Sequence, residues 1–318
     1  MTSVSVVIPA YNRAHTIAQA VASARVQTRP AREIIVIDDA SLDDTAEAAE
    51  RAGARVIRLE RNHGCAFARN VGIRHASGDA IAWLDSDDYW EPHHIETVAA
   101  LLDRYPEAGV AASAVRLFGT RSGVWEGRIP PGPPSNVFRR AFFDWLTAVN
   151  TTIIRRDALL SVGGWAGSER YASDFYLWMQ LARRYPFVCT SEVTANWRWH
   201  DHQLSSAQEK QWLARYRFRD RMLRQLEADG DLARRDELAA LFRVIWANDL
   251  QWAWDEGRNG WLKQLLKLSV LVPDAPADVH RRWTIRSRIP VGVRPLLHEL
   301  SRLGRASVGR PPAAQQRS

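Results

Sequence analysis

The sequence predicts an α/β fold: a mainly parallel sheet flanked by helices, with a helical extension at the C-terminal end. Three observations carry that reading. β-branched runs alternate with helical apolar stripes from Ser3 to Leu117, the pattern of βαβ units joined by right-handed crossovers. Two of the runs end in acidic clusters, Asp38-Asp39 and Asp85-Ser86-Asp87-Asp88. Beyond residue 207 the pattern turns helical, with Trp212, Trp246, Trp252, Trp254, Trp261 and Trp283 spread along it.

Taken in order, Ser3–Ile8 is a β-branched run and reads as a buried strand. Pro9 is expected to end it, because proline cannot donate to a ladder. Ile17, Val21 and Ala24 form a helical stripe within His15–Gln27, broken at Arg29-Pro30. Glu33–Ile37 is a second buried strand. Asp43–Arg51 is a short helix that Gly53 can cap, and Arg55–Leu59 a third strand. Cys65–His75 is a helix that Gly78 stops, and Ala80–Leu84 is a fourth strand. Pro92 suits the first turn of the next helix, which runs to Arg104. Gly109–Leu117 is a further strand.

The second half is less regular. Gly119–Asn136 is rich in Gly, Pro and Ser and is expected to be an exposed loop, with a mobile lid as its functional form. Ala148–Ile154 is a strand, Asp157–Val162 a helical turn or two, and Gly163-Gly164-Trp165 a turn. Phe175–Arg184 is a helix that Ser173 or Asp174 can cap. Phe187–Thr190 and Thr194–Trp199 read as two strands, the second ending at His200-Asp201-His202. The expected domains are 1–207, a helical basic region at 208–300, and a disordered tail at 301–318.

Composition bounds the function. Of the 318 residues, 46% are hydrophobic and 25% charged, the balance of a globular chain with a sizeable core. No apolar run approaches the ~18 residues of a membrane-spanning helix, and no leader pattern is apparent. Cys65 and Cys189 have no metal-ligand spacing, which points to a reduced, cytoplasmic protein. Residues 1–207 hold 22 Lys/Arg against 23 Asp/Glu, whereas residues 208–318 hold 21 against 13. The basic end suits an anionic membrane surface or an ordinary solvated helix face. Nucleic acid is not an expected partner, since net charge alone would argue for it. Within the basic end, Trp261–Val272 carries Lys263 and Lys267 on one face. It can lie in a membrane interface or pack internally.

Three carboxylates within four positions repel one another unless a cation or a donor-rich ligand sits between them. Hard divalent ions take one or two carboxylates together with phosphate oxygens. The cluster at Asp85–Asp88 therefore reads as a metal–diphosphate site, with a solvated acidic turn as the plain alternative. Parallel sheets bind ligands outside the carboxyl ends of their strands. Asp38-Asp39 and Asp85–Asp88 are thus expected to face one cleft.

The motifs Val6-Val7-Ile8-Pro9-Ala10-Tyr11-Asn12, Val36-Ile37-Asp38-Asp39-Ala40-Ser41, Ala68-Arg69-Asn70-Val71-Gly72-Ile73 and Leu84-Asp85-Ser86-Asp87-Asp88 resemble those of family 2 glycosyltransferases in order and spacing. Gly163-Gly164-Trp165 followed by Ser173-Asp174 resembles that family's second half. The resemblance implies the GT-A fold. It also implies transfer of a sugar, with inversion, from a nucleotide diphosphate-sugar to an acceptor hydroxyl, assisted by Mn²⁺ or Mg²⁺. By the same resemblance Pro9, Ala10 and Tyr11 line the nucleotide pocket, and Asp39 accepts a hydrogen bond from a uracil base, with guanine and thymine left open. Arg69 contacts the base or a phosphate. Asp85 and Ser86 bind the donor, and Asp85 also suits the metal. Asp87, supported by Asp88, holds the metal, and His200 resembles a late histidine that reaches the metal or the diphosphate, with a surface-loop histidine as the alternative and His202 as a substitute.

Asp174 resembles the catalytic base, although the acidic residue that usually precedes it is here Ser173. Gly164 and Trp165 fall at the acceptor, Trp165 stacking on a sugar or else packing in the core. The implied partners are the nucleotide-sugar donor and a saccharide or lipid-linked saccharide acceptor, in cell-surface polysaccharide or glycoconjugate assembly. The implied location is cytoplasmic, with peripheral contact at the inner face of the membrane through the C-terminal region. Two other readings stay open. One is a non-catalytic nucleotide-sugar scaffold. The other is a nucleotidyltransferase, which usually carries a Gly-rich basic loop where this chain has Pro9-Ala10-Tyr11-Asn12-Arg13.

Overall fold

Ten strands make one sheet in the computed structural model, which describes residues 1–167, 170–200, 208–288 and 291. The path β3-β2-β1-β4 comprises Arg55–Arg58, Glu33–Asp38, Val4–Ala10 and Ala80–Trp83, all parallel. It continues through β9 (Thr152–Arg155) to β6 (Val110–Gly119), β10 (Phe187–Trp199) and β5 (Tyr89–Trp90). β9 runs against both β4 and β6, while β10 is parallel to β6. Hence β1, β2, β3, β4, β6 and β10 all point one way, and their carboxyl ends lie along one edge. That edge receives Asp39, Asp85 and His200.

The first half forms for the reasons its sequence suggests. α1 (Ile17–Arg25) buries Ile17, Ala20, Val21 and Ala24. α4 (His94–Arg104) buries Ile95, Val98, Ala99 and Leu102 in the same core cluster with Val6, Ile8, Val36, Ala82 and Leu84. α2 (Thr45–Arg51) lies between β2 and β3 in the chain. α3 (Cys65–His75) crosses the opposite face, where Val7 and Trp83 project because strand side chains alternate. Gly72 lets α3 approach β1: a Cβ there would lie 2.3 Å from Val7 Cγ1.

Pro9 does not end β1. Pro9 is opposite Ile37 and Ala10 opposite Asp38 in the pairing with β2. The Val4 and Ala10 carbonyls accept from Arg32 and Asp39 on the β2 side, and the Val7 carbonyl accepts from Leu84 on the β4 side. Pro9 shares Val7's side of the strand, beyond the last β4 pair at Val7–Trp83. Its missing N–H therefore removes no ladder bond.

The segment expected to be a loop at Gly119–Asn136 contributes two short strands. β7 (Gly123–Trp125) pairs with β6, and β8 (Gly132–Ser135) pairs with β10. The β8 register breaks between its two pairs, where Pro133-Pro134 supply no donors. The two strands expected at Phe187–Trp199 form one strand with irregular register between Cys189 and Ala195. α5 (Phe138–Phe143) and α6 (Arg156–Ser161) flank β9 in the chain, and β9 follows a 3-10 turn at Val149–Thr151. α7 (Ser173–Arg184) is capped neither by Ser173 nor by Asp174. Ala172 occupies the cap position with φ 54°, and both polar residues lie in the first turn.

The chain divides into two compact units, the first ending at Asp231 and the second starting at Leu232. α8 (Gln208–Ala228), which the sequence alone places in the C-terminal region, packs within the first unit. Tyr176 of α7 stacks on Phe218 of α8 at 4.7 Å, and Arg219 donates to the carbonyls of Phe142 and Phe143. The second unit holds α9 (Leu232–Asp255), α10 (Asn259–Lys267) and α11 (Ala277–Arg286). Of its five tryptophans, Trp246, Trp254, Trp261 and Trp283 are buried and Trp252 is partly exposed. The stripe considered for a membrane interface is also internal: Trp261, Leu262, Leu265 and Leu266 are buried, and Trp246 Nε1 donates to the Leu265 carbonyl at 2.9 Å. Among the described residues no helix is long and apolar enough to cross a membrane. The tail expected at 301–318 lies outside the described residues.

His94 gives this fold a pH signature. Its ring is fully buried, stacked on Trp90 at 4.2 Å, with Nδ1 2.7 Å from Thr194 Oγ1. Burial, helped by neighbouring His93, depresses the imidazole to about 3. An unfolded histidine titrates near 6.5, so below that pH the unfolded chain binds a proton that the folded chain refuses. Stability is therefore fully present above ~6.5 and declines as pH falls toward 3. We expect a loss of about 2 kcal/mol between pH 7.5 and pH 5, on the order of 1.4 kcal/mol per unit. Urea unfolding at the two pH values checks this, and His94→Asn should flatten the difference.

Candidate functional site

The loops leaving β1 and β2 are tied together by side chains. Asn12 N–H donates to Ser41 Oγ and Leu42 N–H to Asn12 Oδ1, at 2.9 and 2.8 Å. Asn12 and Ala40 both adopt positive φ, 51° and 62°, the turn geometry that brings the two loops side by side. Pro9 and Ala10 are buried at the end of β1, and Tyr11 is the residue that reaches solvent, at 40% exposure. Asp39 is buried, and its carboxylate clamps the turn before α3. Oδ1 accepts from His63 N–H at 2.8 Å and Oδ2 from Gly64 N–H at 2.7 Å. Each oxygen keeps a lone pair.

The acids after β4 divide by environment. Asp88 N–H closes the turn on the Asp85 carbonyl at 3.0 Å, with Ser86 buried inside it. Asp88 is turned inward. Its Oδ2 accepts from Asn150 Nδ2 at 2.6 Å and its Oδ1 from Arg198 N–H at 2.7 Å. Burial, with Asp87 and Asp85 beside it, pushes the Asp88 carboxyl well above its ordinary value. Asp88 thus pins the turn to the 3-10 turn before β9 and to β10.

Asp87 faces the other way. Its Oδ2 lies 3.1 Å from His200 Nε2 and 3.5 Å from Arg13 Nε. Arg198 Nε donates to the Asp87 carbonyl at 2.9 Å, and Arg198 Nη2 to Gln19 Oε1. One carboxylate, one imidazole and two guanidiniums are therefore gathered from the ends of β1, β4 and β10.

Arg69 connects this edge to α7. Arg69 Nη2 donates to Asp85 Oδ1 at 2.6 Å, and its Cζ sits 4.2 Å from the centre of the Trp165 ring. Burial alone would lower the guanidinium, but Cys65, Asp85 and Asp174 around it hold it above its ordinary value. Burial pushes the neighbouring Cys65 thiol up to about 11, so that cysteine is no nucleophile at neutral pH.

Asp174 is also buried, with Oδ1 accepting from Phe175 N–H at 2.9 Å. Burial raises its carboxyl above the ordinary value; Arg69, the Phe175 N–H and Arg215 of α8 oppose that shift. Arg215 stands over the rings of Trp145 and Phe175, at 5.1 and 5.3 Å.

Trp165 is 2% exposed, so it offers no open face to a sugar. It meets Trp83 edge-on at 5.4 Å and Trp178 at 6.5 Å. Arg69 and two indoles surround it. Gly164 turns the chain with φ +74°, and a Cβ there would lie 2.5 Å from Asn70 Oδ1.

A model of the family described as glycosyl transferase family 2 matches residues 5–163, half of the chain. The chain belongs to glycosyl transferase family 2. An uncharacterized glycosyltransferase of Rickettsia typhi is 28% identical over 209 residues, which cover 64% of this chain and 66% of that protein. The Escherichia coli UDP-Glc:alpha-D-GlcNAc-diphosphoundecaprenol beta-1,3-glucosyltransferase WfaP is 45% identical over 93 residues, 28% of this chain and 37% of that one. Matches to other curated relatives span as little as 16% of their length, as with a Rickettsia felis glycosyltransferase. The crystal structure of S. aureus TarS 1-349 in complex with UDP-GlcNAc superposes with a TM-score of 0.70 at 20% identity, covering 95% of this chain and 92% of that one. The fold is thus of the GT-A type.

In this family 2 chain, most residues singled out from sequence follow the carboxyl ends of the strands; Arg69 lies on α3, Gly164 and Trp165 in the turn after α6, and Asp174 on the first turn of α7. Four partners were missed. Asn150, Arg198 and Arg13 hold or face the acidic turn, and Arg215 faces Asp174. Asn150 and Arg215 carry no local motif, being placed by the 3-10 turn before β9 and by α8. Arg13 follows directly on the first motif, and Arg198 precedes His200 by two positions. Their nearness in sequence to assigned residues was the one available signal.

Proposed function

We propose that this chain transfers a sugar, with inversion, from a nucleotide diphosphate-sugar to a hydroxyl of a saccharide or lipid-linked saccharide, assisted by a divalent cation. UDP is the first choice of carrier, and cell-surface polysaccharide or glycoconjugate assembly the setting. The observation that carries this reading is the pairing of Asp87 with His200 at the sheet edge, linked through Asp85 and Arg69 to the buried carboxylate Asp174. The UDP-Glc-dependent relative WfaP and the UDP-GlcNAc complex of TarS favour a UDP-linked donor. The diphosphoundecaprenol in the name of WfaP, and the teichuronic acid biosynthesis in that of the Bacillus subtilis relative TuaG, favour an envelope glycan acceptor.

The residues present fit a Mg²⁺ or Mn²⁺ ion bound together with its substrate. Asp87 Oδ2 and His200 Nε2 are 3.1 Å apart, close to the ~3 Å between neighbouring ligands on an octahedral ion with ~2.1 Å bonds. No group of three or more His, Cys, Asp or Glu able to hold an ion occurs among the described residues. A two-ligand site completed by diphosphate oxygens and water is what Mg²⁺ favours; a closed structural zinc site would need four protein ligands. Asp87 and His200 would hold the ion, which neutralises charge on the departing diphosphate. Asp88 acts behind them by fixing the turn.

The chain's own groups supply the rest. Tyr11 and the Asp39 clamp border the base pocket. Arg13 adds positive charge beside Asp87, where the diphosphate is received. Asp174 takes the proton of the acceptor hydroxyl while that oxygen bonds to the anomeric carbon and the bond from that carbon to the diphosphate oxygen breaks. A single displacement of this kind inverts the anomeric centre.

The test is a thermal-shift panel of UDP, GDP, dTDP and CMP, each with and without Mn²⁺, followed by donors built on the nucleotide that binds. A ligand specific for the folded state stabilises it by about 2.7 kcal/mol at a hundredfold excess over its Kd. A Mn²⁺-dependent rise with UDP is expected. No rise with any nucleotide would defeat the reading.

A further inference from the structure

One contact in the first unit joins residues 95 positions apart and is doubly made. Asn70 Oδ1 accepts from Trp165 N–H, and Asn70 Nδ2 donates to the Trp165 carbonyl, both at 2.8 Å. The chain reaches this clip through Gly164, where φ is +74° and a Cβ would lie 2.5 Å from Asn70 Oδ1. The clip fixes the indole whose face carries the Arg69 guanidinium at 4.2 Å. Arg69 Nε has no hydrogen-bond partner among the described residues. The Trp165 face and the single bond to Asp85 therefore determine where its charge lies.

The same indole meets Trp178, four residues after Asp174 and hence on the same face of α7. Trp83, in the strand that leads to Asp85, closes its edge at 5.4 Å. Trp165 thus touches β4, α3 and α7, the three elements that supply Asp85, Arg69 and Asp174.

We propose that Asn70 and Trp165 are positioning residues, which hold the Arg69 guanidinium as the shared counter-charge of Asp85 on the donor side and Asp174 on the acceptor side. This rests on the reading of Asp174 as the base. Among the described residues, the charged and titratable groups that act electrostatically with Asp174 are Arg69 and Cys65 from α3 and Arg215 from α8. Arg69 is the foremost of those that favour the ionised carboxylate, against the burial that opposes it. Loosening Arg69 should leave Asp174 harder to deprotonate.

The experiment is a carboxyl ¹³C NMR titration of Asp-labelled full chain, with the Asp174 resonance assigned by its loss in Asp174→Asn. An opposite charge within ~4–6 Å shifts a carboxylate by about 1–3 units. Trp165→Leu, which removes the flat face, and Asn70→Ala, which opens the clip, should each raise the Asp174 midpoint by about one unit. Trp165→Phe keeps an aromatic face and should hold the midpoint near that of the unaltered chain. Should Trp165→Leu fail to fold, Asn70→Ala decides alone. An unshifted midpoint in folded Asn70→Ala would overturn the proposal, as would a Trp165→Phe shift as large as that of Trp165→Leu. The titration needs no turnover, so it stands apart from the functional reading. If the chain does turn over a donor, the acidic limb of kcat/KM should move up with the midpoint, which a general loss of folded protein would not produce.

Discussion

Asp174→Asn should leave nucleotide affinity unchanged and lower turnover by about 10²–10⁴-fold, the usual contribution of a positioned general base. The substitution keeps size and shape, and the amide oxygen can still accept from Phe175 N–H. What is lost is the ability to take a proton. Its environment also sets a pH profile. A base works only when deprotonated, and burial holds this carboxyl above its ordinary value against the opposing Arg69 and Arg215. Activity should therefore fall, as pH drops, at a higher pH than an ordinary aspartate would give. Paired measurements of kcat and of UDP binding in the two proteins check both statements. Unchanged turnover in Asp174→Asn would assign the proton to another group.

Asp87→Ala should abolish the Mn²⁺-dependent part of the UDP-induced rise in melting temperature and reduce kcat by about 10³-fold. That is the several kcal/mol an ion supplies against charge on the leaving oxygens. The expectation follows from the division of labour in the acidic turn. Asp87 opens toward His200 and Arg13, whereas Asp88 is closed in by Asn150 and the Arg198 backbone. His200→Ala should act in the same direction more weakly, since it removes a neutral donor rather than a carboxylate. EDTA should bring the unaltered chain down to the level of Asp87→Ala. Full activity in EDTA would remove the cation from the reaction and leave Arg13 as the diphosphate's counter-charge.

Much of this site was legible in the sequence because the first half of the chain is built from local signals. Each strand there is a short β-branched run, each helix a short stripe, and the ends of β2 and β4 are marked by acids. Parallel order then forces those ends to one edge, so sequence alone brings Asp39 and Asp85–Asp88 together. Two of the five motifs likewise contain Asp87 and Asp174, whereas His200 rested on a separate resemblance beyond them.

The orientation of each carboxylate was not legible. Asp87 and Asp88 are adjacent and identical in kind, and they differ because the turn aims one at His200 and the other at Asn150. That aim depends on where the 3-10 turn before β9 and the end of β10 pass, which place Asn150 and Arg198 beside Asp88 across 62 and 110 positions. Trp165 was equally undetermined, because an indole after two glycines suits a sugar platform as well as a core. In the folded chain it is packed against Trp83, Trp178 and Arg69.

The sequence by itself determined the family, the βαβ order and the identity of the acids, since these rest on local pattern and motif spacing. Tertiary structure alone decided which acids are open, which are buried, and which distant residues charge-balance them. Solvation and electrostatics depend on neighbours in space, and Asn70, Asn150, Arg198 and Arg215 become neighbours of the site only when the chain is folded.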